Sequence, residues 1–118
     1  METRTITREE LTALQRRPSP ATDEELSAVR RLIDIAKSDT GQSRRVADFL
    51  LAWWNAESCG GFDLTDLWGV DTAIATDMVI VFGLVARIHE YPPALDPAFE
   101  ADFGAIFAAW RSEPVSEA

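Results

Sequence analysis

Residues 72–90 read TAIATDMVIVFGLVARIHE, and how they fold decides the class of the whole chain. The β-branched crowding at Val79-Ile80-Val81, followed by Phe82, suits a buried strand. Against that, Ile74, Met78, Val81, Phe82, Val85 and Ile88 recur at steps of three and four, the period of one helix face. No flanking stretch offers a partner strand. The spacing predicts a helix over about 72–90, with Asp71 as its N-cap and Asp77 still in its N-terminal half.

Helix signals extend in both directions. Downstream, Pro92-Pro93 ends the element, and Asp96-Pro97 opens a last helix with Phe99, Phe103, Ile106, Phe107 and Trp110 on one face. Glu100 and Asp102 are expected to point outward, and residues 112–118 to be loose. Upstream, Gly60-Gly61 breaks the chain, and residues 62–70 reconnect it. A third helix begins near Ser43, with Val46, Phe49, Leu50 and Trp53 on its apolar face and Ala47, Leu51 and Trp54 widening it. Arg44, Arg45 and Asp48 are expected on its solvent side. Before it, Asp39-Thr40-Gly41 reads as a helix stop. Thr7–Glu10 and Thr22–Glu25 each fit a capping box, which predicts helices over about 7–16 and 23–38, separated by Arg17-Pro18-Ser19-Pro20. In the second, Leu26, Val29, Ile33 and Ala36 share a face. The expectation is one all-α domain of about five helices, the third and fourth central.

Composition narrows the function classes. An apolar content of 47% and a charged content of 26% are those of an ordinary soluble domain, expected in the cytoplasm. The longest apolar run, Met78–Ala86, is too short for a bilayer, so neither a membrane span nor a signal peptide is expected. Charge is unevenly placed. Residues 1–48 hold nine basic and nine acidic side chains, whereas residues 49–118 hold two arginines against eleven acids and carry the whole net charge of −9. Such a rear half repels phosphates, so direct nucleic-acid binding by residues 49–118 is not expected; it favours a protein partner with a basic surface.

Chemistry is poorly provided for. Cys59 and His89 are the only soft metal ligands, one of each, and structural zinc needs about four. Asp63, Asp66 and Asp71 lack the spacing of a calcium loop. A Cys59-dependent enzyme, with His89 as base, needs a cation or helix N-terminus beside the thiol, yet Glu57 and Asp63 surround it in sequence. The chain calls for no catalytic residue, cofactor or metal. The arginine pairs Arg16-Arg17, Arg30-Arg31 and Arg44-Arg45 offer an alternative, binding of DNA or conjugation machinery. The other candidate is the corner itself: Trp54 and Trp68 flank Gly60-Gly61, and with Asp63, Asp66 and Asp71 they would make an aromatic, acid-ringed partner surface. A homo-oligomer is compatible with all of this.

The run GQSRRVADFLLAWWN at residues 41–55, followed by GGFDLTDLW at residues 60–68, resembles an uncharacterised group of short proteins carried on integrative elements and plasmids of proteobacteria. The resemblance covers about residues 30–95. It implies no activity and no site residues, but it implies a setting: an accessory product of mobile DNA. Small acidic helical proteins in that setting are often inhibitors of bacterial defence complexes, as anti-CRISPR proteins are.

Overall fold

The computed structural model describes residues 7–9 and 20–111; the predicted first helix, apart from residues 7–9, the pair Arg16-Arg17 and the tail from 112 lie outside the described residues. Within residues 20–111 five α-helices follow in order: α1 Asp23–Ala36, α2 Gly41–Cys59, α3 Thr72–Arg87, α4 Pro92–Leu95 and α5 Phe99–Trp110. A 3-10 turn, Leu64–Gly69, joins α2 to α3. No strand occurs among the described residues, so the fold is a single all-α domain.

The start of α1 is as its sequence requires. Thr22 Oγ1 accepts from the Glu25 amide at 3.0 Å, and Glu25 Oε1 accepts from the Thr22 amide at 2.9 Å. The same Glu25 is gripped by Arg87, which donates to both carboxylate oxygens at 2.6 and 2.7 Å and to the Pro20 carbonyl at 3.1 Å. The end of α3 is thereby tied to the start of α1. This clamp gives a pH prediction. The Arg87 guanidinium, helped by the Thr22 amide, lowers the Glu25 pKa from an ordinary 4.5 to about 2. A depressed folded pKa means the contribution is complete above the unfolded value and fades as pH falls from about 4.5 towards 2. Urea unfolding between pH 6 and pH 3 should therefore show a smaller loss of stability in Glu25→Gln than in the parent chain.

Helix α1 lies under both long helices. Ala28, Val29, Leu32, Ile33 and Ala36 are all buried, and α1 packs against α2 and α3 more extensively than those two pack on each other. The two helices expected at the centre thus share that position with α1. Val46, Ala47, Phe49, Leu50 and Leu51 fill the core from α2, and Ile74, Met78, Val81 and Leu84 from α3. Fully buried Phe99, Phe103 and Ile106 close it from α5. Trp53 and Trp54 meet Phe103 at ring-centroid distances of 6.0 Å each. The Trp110 indole donates to the Ala36 carbonyl at 2.7 Å, which pins the last helix to the first.

Local details depart from the sequence reading where caps compete. Gly41 opens α2 instead of stopping α1, because Thr40 Oγ1 accepts from the Ser43 amide at 3.0 Å and so acts as an N-cap. Helix α3 stops at Arg87, short of the expected 90, with Ile88 already extended, and Pro92-Pro93 instead starts the four-residue α4, since proline suits a first turn. Asp71 holds the N-cap position of α3 without a side-chain capping bond: its carbonyl accepts from the Ala75 amide at 2.9 Å, and its own amide donates to Gln42 Oε1 at 2.6 Å. Asp96 accepts from the Ala98 amide at 2.9 Å, one turn ahead of α5. At the corner, Asn55 leaves helical geometry (φ −166°, ψ 81°) and recaps the last turn of α2 by accepting from Ser58. Gly60 then turns with φ 95°, a value that favours glycine. The opening of the corner is fixed from the far end of the chain, as Arg111 donates to the Cys59 carbonyl at 2.8 Å and to Asp48 at 2.5 Å.

Candidate docking surface

Only Asp77 and Arg87 carry charge in α3, and both are engaged by α1. Asp77 is buried and receives two hydrogen bonds from Arg31 at 2.9 Å each. Arg87 belongs to the Glu25 clamp. The outward side of α3 is therefore uncharged along its length: Thr72, Ala73, Thr76, Val79, Phe82, Gly83 and Ala86 are all exposed. Phe82 is 60% exposed and Val79 62%. This corrects the sequence reading, which drew Phe82 into the core stripe.

The 3-10 turn lies alongside this face. Asp63 folds it, with one carboxylate oxygen accepting from both the Thr65 amide (3.0 Å) and the Thr65 hydroxyl (2.8 Å). Those bonds, the hydroxyl's first, hold the Asp63 pKa below its usual value. Gly69 lets the turn be held down: a Cβ there would sit 2.9 Å from the Arg45 guanidinium carbon, and Arg45 reaches Asp66 at 3.6 Å across it. Between turn and helix is a cavity of about 220 Å³ whose lining is wholly apolar. Buried Phe49 and Met78 are its floor, half-buried Phe62 and Leu67 its walls, and exposed Leu64, Val79 and Phe82 its rim. Phe62 stands edge-on to Phe49 at 5.2 Å. Trp68, 84% exposed, lines a second, shallower depression on the other side of Val79, with Thr72, Thr76 and Ile80.

The five residues singled out in the sequence do not form one surface. Trp68 stands at the apolar face, with Asp63 and Asp71 in the segments bordering it. Asp66 is engaged by Arg45. Trp54 turns towards α5, between Phe103 and Phe107 (6.4 Å), and does not line the groove. The groove residues Phe62, Leu64, Val79 and Phe82 were missed; the signal that marks them is a surface helix with no charge on its outer side.

The charge imbalance is also folded into the structure. Arg30 pairs with Asp96, Arg31 with Asp77, Lys37 with Asp102 at 2.7 Å, and Arg45 with Asp66. Front cations thus neutralise four rear acids, Asp102 included. Arg44 lies 3.7 Å from Asp48. Among the described residues no cation pairs with Glu57, Asp63, Asp71, Glu90 or Glu100.

A family model, described as a family of unknown function, DUF7673, matches residues 26–111. The chain belongs to DUF7673. No curated protein and no solved structure matches it. In this DUF7673 chain the matched span takes in both walls of the groove and all of α5, and it starts just after the Thr22–Glu25 cap. Among the described residues of the DUF7673 chain, no three His, Cys, Asp or Glu side chains cluster as metal ligands, and no helix is long and apolar enough to cross a membrane. Cys59 is buried in the core cluster, whereas His89 is exposed beyond the end of α3. Native DUF7673 protein should accordingly react with iodoacetamide far more slowly than after unfolding in urea; equal rates would show an open thiol.

Proposed function

We propose that this protein is a non-enzymatic docking module, whose apolar groove takes a partner's apolar segment flanked by lysine or arginine. The observation that carries this reading is the uncharged outer face of α3, joined to the rim of Leu64, Trp68, Val79 and Phe82. Those four side chains expose on the order of 500 Å² of apolar surface, at the upper end of what a monomer's largest patch shows. That is less than the ~800 Å² per partner of a standard interface, and it suits a helix laid into a groove.

Charge selects the occupant. Asp63 and Asp71 flank the 3-10 turn and Glu90 follows the end of α3, all without a described cation partner, so a basic flank is attracted and an acidic one repelled. A second copy of this −9 chain would set the same carboxylates against each other, which disfavours self-association through this face. A basic, nucleic-acid-binding surface of a defence complex has the required chemistry, and inhibition by covering it agrees with a setting on mobile DNA.

The test uses a synthetic amphipathic helix with leucine at i, i+3 and i+4, flanked by lysines, and the same helix flanked by glutamates. Burial of Trp68 should shift its emission to the blue, saturably, with the lysine peptide, and a Trp68→Phe variant should lack that signal. If neither peptide saturates, docking fails; if both bind equally, the charge selection fails.

A further inference from the structure

Beyond the groove, α2 and the end of α3 enclose a separate notch of about 440 Å³ lined by Trp53, Val85, Ile88, His89, Glu90 and Tyr91. Its parts are held in place. The Trp53 indole donates to the Glu90 carbonyl at 3.3 Å and stands edge-on to Phe103. The Glu90 amide donates to the Ile88 carbonyl at 2.9 Å. Tyr91 precedes buried Pro92, which restricts it to the extended backbone it shows (φ −79°, ψ 159°), and its side chain is 66% exposed. Two aromatic rings and a carboxylate without a described cation partner share this notch, and neither lysine nor arginine lines it.

We propose that the notch is the seat for a cationic side chain of the docked partner. The rings attract a cation through their quadrupoles, Glu90 through its charge, and the apolar walls of Val85 and Ile88 favour an organic ammonium over a hydrated metal ion. Met78, Val79 and Phe82 of α3 line the groove, and Val85 with residues 88–91, just past the end of α3, line the notch, so the two are about 10 Å apart along the α3 axis, two helical turns. A helical partner therefore carries a large apolar anchor at i and its lysine at i+7. This rests on the docking reading for its occupant, but not for its chemistry.

Two measurements separate these. In the first, choline is titrated at pH 8 against its neutral isostere 3,3-dimethylbutan-1-ol, following the Trp53 indole N–H resonance. Saturation at least about threefold tighter for choline is expected, with the difference lost in Tyr91→Ala and Glu90→Gln, both at exposed positions. Equal affinities, no saturation, or indifference to both variants overturns the seat. In the second, the lysine-flanked peptide carries lysine or norleucine at i+7. Lysine should bind about three- to fivefold tighter, and Tyr91→Ala should erase the gap. Two peptides that bind equally overturn the seat while docking stands. Two that fail to bind overturn docking, and choline alone then decides the notch.

Discussion

Replacing Phe103 by alanine is expected to cost about 3–5 kcal/mol of folding stability, and replacing Phe82 less than ~1 kcal/mol. Both are phenylalanines on predicted apolar helix faces, and nothing in their immediate sequence separates them. Phe103 has no exposed surface and meets the rings of Trp53, Trp54 and Phe99 at 6.0, 6.0 and 6.2 Å. Removing it leaves a cavity between α2 and α5 and deletes ring contacts worth ~0.5–1.5 kcal/mol each beyond area burial. A domain of this size holds only about 5–15 kcal/mol in all, so the variant should be close to unfolding at 37 °C. Urea titrations of the two variants at 25 °C provide the comparison. A loss in Phe82→Ala as large as in Phe103→Ala would mean that the outer face of α3 is core, and the docking surface would not exist.

That pair shows where the sequence stops being readable. The class of the fold follows from period and caps: the steps of three and four in residues 72–90, the reciprocal bonds of Thr22 and Glu25, and the break at Gly60 all have local causes. The rotation of α3 does not. Met78–Ala86 is apolar on every side, so a stripe through Phe82 satisfies helical spacing as well as the true one through Ile74, Asp77, Met78, Val81 and Leu84. Asp77 itself misleads, since a carboxylate in a helix reads as surface, while here Arg31 meets it from 46 residues away. The same long-range pairing hides in the charge count. Arg30, Arg31, Lys37 and Arg45 sit in the neutral half and their acids in the anionic half, and sequence alone cannot join them. Cap competition is the third source of error, as at Thr40, where two adjacent helices claim the same residues.

Within the docking surface, Phe82→Glu is expected to weaken the lysine-flanked peptide by at least about 30-fold, the loss typical of an interface hot spot. Phe82 lies on the rim at 60% exposure, so glutamate there is solvated in the free protein and should leave the unfolding curve nearly unchanged. In the complex the same carboxylate would be pressed against apolar surface and desolvated without a partner. Asparagine at Asp63, Asp66 and Asp71 together should behave differently. Asp66 is engaged by Arg45 and Asp63 by Thr65, so only part of their charge is open to a ligand, and solvent screens what remains. Rim charges of this kind act mostly on the association rate. The triple variant should thus lose severalfold in affinity and flatten the salt dependence, without abolishing binding. Measuring both variants at 50 and 300 mM salt ranks the two forces. If the triple asparagine variant loses more than Phe82→Glu at either salt, the partner is held by charge, and the uncharged face of α3 is not what it recognises.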